Sequence, residues 1–176
     1  MISIKVEKAL NNQIAMEANA SAVYLAMASW ADHSGLEGAA QFFYGHSEEE
    51  HVHMMKIVRF LNEVGGCAVI PSVTKPKATF KSVKEACDLA YKHEIKVSKS
   101  IHKIVDLSRA ENDHVTDAFL RWFVEEQREE EVLFMRVMDK INMIGSGGQS
   151  LFYIDNELGQ IAAAEAAPAA DAGADA

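Results

Sequence analysis

Proline is scarce in this chain. There are three, and Pro71 and Pro76 share one short segment while Pro168 lies in the last stretch. Proline breaks helix interiors, so its rarity leaves long tracts free to run as uninterrupted helix. Cysteine is nearly missing too. Cys67 and Cys87 form neither a CxxC pair nor a disulfide framework, which fits a reducing compartment. No apolar run approaches the ~18 residues of a membrane span. The opening MISIKVEKAL enters an amphipathic pattern directly, without a signal-peptide core. A cytoplasmic location and no membrane contact are therefore expected. Basic clusters are absent as well, and the formal net charge is −9. That excludes phosphate-tracking nucleic-acid binders and suits a protein that attracts cations.

What is present is helical periodicity. The first helix runs from about Ile4 to Asp32 and breaks at Ser34-Gly35. The second runs from about Leu36 to Val64 and stops at Gly65-Gly66. Ser82, with Glu85 three residues on, reads as a capping box that starts a third helix reaching about Glu111. Asn112-Asp113 breaks the chain and caps a fourth helix that ends near Ile144. Beyond the Gly145–Gly148 joint lies a short fifth helix, about 150–164. Residues 165–176 read as an Ala- and Asp-rich tail, mobile or weakly helical. The segment from Gly65 to Lys81 has no helical period. Extended, it reaches roughly 55 Å, against about 42 Å for a helix of about 28 residues. It can travel the length of a bundle. An all-α, up-down-down-up four-helix bundle with one long crossover follows, the ferritin-like class, as one domain over 1–164 with its bundle at about 4–144.

Each of the four long helices carries one glutamate inside its apolar stripe. At seven-residue spacing the stripes read Leu10–Glu17–Tyr24, Phe43–Glu50–Ile57, Cys87–Glu94–Ile101 and Phe123–Glu130–Val137. Seven residues is two helical turns, so each set shares a face. Counted from the same end of the bundle, the four glutamates differ by ~3 residues, about 4.5 Å of rise. An unpaired buried carboxylate costs several kcal/mol or takes up a proton, and a bound cation is the simplest compensation for four of them.

His53 joins this layer, three residues after Glu50 on the same side of the helix. Glu-x-x-His is the pair used by di-iron carboxylate bundles. Carboxylates with one imidazole suit Fe(II), Mn(II) or Zn(II). Glu17, Glu50 and His53 would hold one ion. Glu50, Glu94 and Glu130 would hold another less firmly, because Gln127 stands where a second Glu-x-x-His would begin. Glu49, Glu126 and Glu129, with Glu130, could form a third, more exposed site. Tyr24 could orient a ligand or supply an electron. His46, His51, His93, His102 and His114 read as ordinary packing or surface histidines, Glu48, Glu125 and Glu131 as surface charge, and Trp122 as packing.

Glu17, Tyr24, Glu49-Glu50-x-x-His53, Glu94 and Glu126-Gln127-x-Glu129-Glu130 resemble the pattern of the bacterial non-haem ferritins, over nearly the whole chain. The resemblance implies a ferroxidase centre with iron held by Glu17, Glu50 and His53 and by Glu50, Glu94 and Glu130, and a third iron at Glu49, Glu126, Glu129 and Glu130. It further implies oxidation of Fe(II) by O₂ or H₂O₂ and storage of ferric mineral in a shell of 24 subunits. Haem-binding bacterioferritins carry a second Glu-x-x-His on the fourth helix and a methionine after the bridging glutamate. Gln127 with Glu130, and His51, stand there instead, so no haem is expected. Of two acids that line threefold pores in many ferritins, Asp117 resembles one, while Leu120 takes the place of the other. The competing expectation is a di-metal oxidoreductase of the rubrerythrin or peroxidase type without storage, although the Cys-rich iron module of rubrerythrins is missing.

Overall fold

A computed structural model describes residues 2–167, and the tail from Pro168 onward lies outside them. Five helices follow one another: α1 Ile4–His33, α2 Glu37–Glu63, α3 Val83–Ala110, α4 His114–Ile144 and α5 Ser150–Glu165. There is no strand among the described residues, and no helix is long and apolar enough to cross a membrane.

Local chemistry sets the helix starts. The Ser3 hydroxyl accepts from the Val6 amide, and Asp113 accepts from the Thr116 amide and hydroxyl. Ser82 accepts from the Glu85 amide at 3.1 Å, while the Glu85 carboxylate reaches back to the Lys81 amide at 2.6 Å. The capping box thus closes one residue further out than the usual reciprocal form. Gly35, Gly65 and Gly145 end their helices at positive φ. Leu36, expected to open α2, sits just before it and offers no side-chain cap.

The crossover is fastened along α1. The Cys67 amide donates to Glu7, the Asn11 side chain bonds both the Cys67 carbonyl and the Val69 amide, and the Thr74 amide donates to Asn19. Phe80 then packs edge-on against Trp30 at 5.3 Å. The segment therefore climbs from the first turns of α1 to its last, and α3 starts where α1 ends. Lys5 pairs with Glu111 at 2.8 Å, which returns the end of α3 to the start of α1. The helices run up, down, down, up.

Two apolar clusters fill the bundle. One half holds Met27, Phe42, Phe43, Phe134 and Val137; the other holds Leu10, Ile14, Ile57, Ile101 and Phe123. Between them lies a buried polar layer: Gln13, Glu17, His46, Glu50, His53, Glu94, Ser98, Gln127 and Glu130.

Sequence periodicity alone did not place α5. It packs chiefly on α2, burying Ile154 and Leu158, and Asp155 accepts the Ala39 amide at 2.8 Å. α2 is therefore capped from another element. The approach needs glycine: a Cβ on Gly38 would lie 2.0 Å from the Asp155 carbonyl oxygen. Gly38→Ala is expected to lift α5, losing about 1 kcal/mol of cap and part of the ~1.5–3 kcal/mol per buried side chain of Ile154 and Leu158. Thermal unfolding and proteolysis after Gly145 read this loss. Gly45→Ala, with nothing within 4 Å of the new Cβ, should be neutral or slightly stabilising.

Candidate metal centre

The polar layer exists because helical repeat places one or more polar side chains per helix at the same height. Its carboxylates are far from water: Glu17 and Glu94 are 1% exposed, Glu50 5% and Glu130 9%. Among the described residues, six buried side-chain N or O atoms lack a partner, and five of them are in this layer: Gln13 Oε1, Glu17 Oε2, His46 Nε2, Glu50 Oε2 and Glu130 Oε2. Buried polar atoms are rarely left unsatisfied without a reason. Here the orphans converge, which is what a cation would require.

The layer resolves into overlapping groups whose donor atoms lie within 4.8 Å of one another: Glu17, Glu50 and His53; Glu49, His53 and Glu126; and His46, Glu49 and Glu130. His53 Nδ1 stands 3.4 Å from Glu50 Oε2. Two ligands about 2.1 Å from one tetrahedral metal are about 3.4 Å apart, so this pair already has the spacing of co-ligands. Gln13 donates to Glu17 at 2.7 Å and fixes its carboxylate.

Glu94 stands apart from these groups. The Tyr24 hydroxyl donates to it, and the Gln127 amide donates at 3.2 Å. Tyr24 is thus placed as a hydrogen-bonding support of Glu94, and Gln127 joins the same carboxylate to α4. Glu129, by contrast, turns to solvent and pairs with Arg128 at 2.9 Å, while Glu126 approaches His53 Nε2 at 4.0 Å. Asp117 is engaged by Arg109 and Arg121, and Leu120 is fully buried.

Electrostatics match the crowding. Burial first, then the charges of neighbouring carboxylates, hold Glu17 and Glu50 well above the ordinary carboxylate range. Burial pushes Glu94 to about 7 despite the Tyr24 hydrogen bond, and Glu49 likewise to about 7. Burial and the nearby Glu94 raise the Tyr24 phenol, so it stays protonated. For His46, desolvation opposes the charged ring, but the Glu130 carboxylate, 3.5 Å from Nε2, outweighs it and brings it to about 9. Without a metal the layer retains protons; a divalent cation would replace them. An oxygen-rich donor set with imidazole fits Fe(II), Mn(II) or Zn(II).

Three participants escaped sequence reasoning. Gln13 had a signal, four residues before Glu17 on the same stripe. So did His46, one heptad before His53. Glu165 had none: the turn of α5 brings it to the wall of a groove of about 990 Å³ between α2 and α4, beside Glu49, Glu126, Glu129 and Glu130.

Residues 7–144 match the family model described as ferritin-like domain. A Haemophilus influenzae protein named "Probable bacterial non-heme ferritin-like protein" is 42% identical over 92% of this chain and 98% of its own length. A bacterial non-heme ferritin of Campylobacter jejuni is 38% identical over 92% and 97%. The crystal structure of an open pore ferritin from Archaeoglobus fulgidus superposes with a TM-score of 0.87 at 36% identity, covering 90% of this chain and 98% of that one.

Proposed function

The chain belongs to the ferritin family, and from that premise we propose that it is an iron-storage ferroxidase acting on Fe(II) within the bundle of each subunit. The observation that carries the reading is the convergence of Glu17 and Glu50, two orphaned carboxylates that burial pushes toward their protonated form, on His53 in a layer sealed above and below by apolar core. Fe(II) is the substrate. Glu17, Glu50 and His53 would hold one ion. Glu50, Glu94 and Glu130 would hold the second, with Gln127 and Tyr24 orienting Glu94. Hard anionic ligands favour the higher charge of Fe(III), so the same residues that bind Fe(II) promote loss of its electron to O₂ or H₂O₂. Glu49, Glu126 and Glu129, beside Glu130, would supply a third, more open site along the groove, and the weaker half of the centre lets product leave toward it. No haem is needed for this chemistry. Residues 1–164 make the working domain, with 165–176 as an appended tail, in a cytoplasmic protein.

Storage requires a container, which we infer to be a 24-subunit shell. Leu151, Phe152 and Tyr153, at 53–65% exposure, lie at the start of α5. Successive large apolar residues so exposed mark a contact surface. Anaerobic Fe(II) loading followed by air, with particle mass and iron content measured on the same sample, tests both parts. A very large iron-filled particle is expected, and His53→Ala should slow the first ferric absorbance by at least about tenfold, since metal-site changes cost 10–100-fold. A wild-type rate in that variant would refute the centre. A small oligomer without mineral would instead favour a di-metal oxidoreductase.

A further inference from the structure

Two serines in the middle of the bundle bond across helices rather than within them. A serine inside a helix commonly turns its hydroxyl back to a carbonyl of its own preceding turn, as Ser108 does to Val105 at 2.8 Å. Ser21 of α1 and Ser47 of α2 reach for each other instead. The Ser21 hydroxyl donates to the Ser47 carbonyl at 2.8 Å, and the Ser47 hydroxyl donates to the Ser21 carbonyl, also at 2.8 Å. The two hydroxyl oxygens lie 3.3 Å apart. Ser47 is buried and Ser21 half-buried. Side chains this short can meet the opposite backbone only where the helices run close together. Two turns further along both helices stand Ala28 and Ala40, small and buried as well.

The place of these bonds gives them a consequence for the metal centre. Ser21 comes four residues after Glu17, and Ser47 three before Glu50, so each serine is one turn from the carboxylate on its own helix and on the same side. α1 and α2 are antiparallel, and setting Ser21 opposite Ser47 brings Glu17 level with His51, one residue from Glu50. One residue of offset is about 1.5 Å of rise. At that register the donor atoms of Glu17, Glu50 and His53 fall within 4.8 Å of one another. A slip of one residue along the α1–α2 seam would move Glu17 by the same ~1.5 Å, where a metal site tolerates about 0.2 Å in its ligand distances. Apolar burial is non-directional and resists such a slip weakly. Hydrogen bonds are directional, and two that cross in opposite senses resist it either way.

We infer that Ser21 and Ser47 are positioning residues for the ion held by Glu17, Glu50 and His53, because their crossed bonds fix the height of α1 against α2. The inference rests on the reading of the layer as an iron-binding centre and deepens it: it says what keeps one half of that centre firm. The other half takes Glu50 from α2, Glu94 from α3 and Glu130 from α4, with no ligand from α1. The clamp therefore acts on one ion and spares the other, which a general support of the fold would not do. Removing the hydroxyls leaves no carbonyl orphaned, since each lies inside its helix and accepts from the amide four residues on.

The test uses the full-length assembled protein, freed of metal, with Co(II) as probe, whose visible bands report the number and arrangement of its ligands. Glu17→Gln and Glu94→Gln first establish which bands and which affinity belong to each ion. In the Ser21→Ala, Ser47→Ala double variant the ion of Glu17, Glu50 and His53 should bind about tenfold more weakly, within the range of losses seen when groups behind metal ligands are removed, and its bands should change. The ion of Glu94 and Glu130 should keep its affinity. Ser21→Thr, which retains the hydroxyl, should restore the wild-type bands. If the double variant does not fold, Ser21→Ala alone, which keeps the buried Ser47 bond, gives the same reading with a smaller loss. Unchanged affinity and bands in a folded variant would overturn the inference. So would a lower Tm with both ions weakened alike, which would mark the serines as supports of the fold alone. A wild type that holds no Co(II) at Glu17, Glu50 and His53 would instead remove the proposed centre itself, and the inference with it.

Discussion

Glu50→Gln is expected to move activity and stability in opposite directions. Glutamine keeps the shape of the side chain and removes the charge that would bridge both ions, so oxidation of Fe(II) should fall by at least about 100-fold, at the upper end of measured metal-site losses. In the metal-free protein the same change relieves a carboxylate held far above its ordinary range by burial and by the charges of Glu94, Glu130 and Glu49. Replacing buried ionic groups with neutral ones is commonly neutral or stabilising by about 1–4 kcal/mol. A metal-free Tm a few degrees above wild type should accompany the lost activity, since for a chain of this size about 1 kcal/mol shifts Tm by roughly 2–4 °C. Zinc, conversely, should raise the variant's Tm less than it raises that of the wild type. Stopped-flow absorbance and calorimetry decide the matter. A variant that is both inactive and strongly destabilised without metal would show that Glu50 serves the fold.

Stability of the metal-free protein should fall as pH rises from about 5 to 9. A carboxyl group whose folded value is raised binds more protons folded than unfolded, between its unfolded value near 4.5 and its folded one, so each unit of pH in that window weakens the fold. Glu94 and Glu49 act up to about 7, and Glu17 and Glu50, raised first of all by burial, act in the same direction. Glu94 alone, raised by about 2.5 units, costs on the order of 3 kcal/mol by pH 8. His46 adds to the trend with the other charge type: its stabilisation is complete below 6.5 and is lost as pH passes about 9. Glu85, Glu111 and Asp117, lowered by their lysine and arginine partners, work the opposite way and only in acid. Saturating Zn(II) should flatten or invert the slope between pH 5 and 8, because the cation takes the place of the protons. A metal-free Tm that is level across this range would contradict the crowded-carboxylate account.

The helices and their order were legible because the features that dictate them are local or periodic. Ser82 and Asp113 announce helix starts, Gly65 a stop, and an aperiodic stretch of known reach leaves few routes for the crossover. The interruption of four apolar stripes by Glu17, Glu50, Glu94 and Glu130 was legible for the same reason. The division of labour within the layer was not. Whether Glu94 faces an ion or Tyr24, and whether Glu129 faces the groove or Arg128, depends on rotamers and neighbours from other helices, which spacing does not encode. His46 shows the limit well: its heptad relation to His53 is visible, but the Phe42 carbonyl beside Nδ1 is a matter of backbone geometry and the Glu130 carboxylate beside Nε2 comes from another helix. The seat of α5 depends on the bare Cα of Gly38, one atom's absence among many glycines.

The crossover laid along α1 also governs how the molecule comes together. Each hairpin, α1 with α2 and α3 with α4, closes through short connections and can form early, whereas their union joins distant parts of the chain and comes late. The first hairpin carries Glu17, Glu50 and His53 and the second carries Glu94 and Glu130, so the final docking must press like charges together across a closing apolar seam. Protons or a divalent ion lower that barrier. Refolding of the metal-free chain is therefore expected to be slower than refolding with Zn(II) present, where the ion meets the two halves as they close.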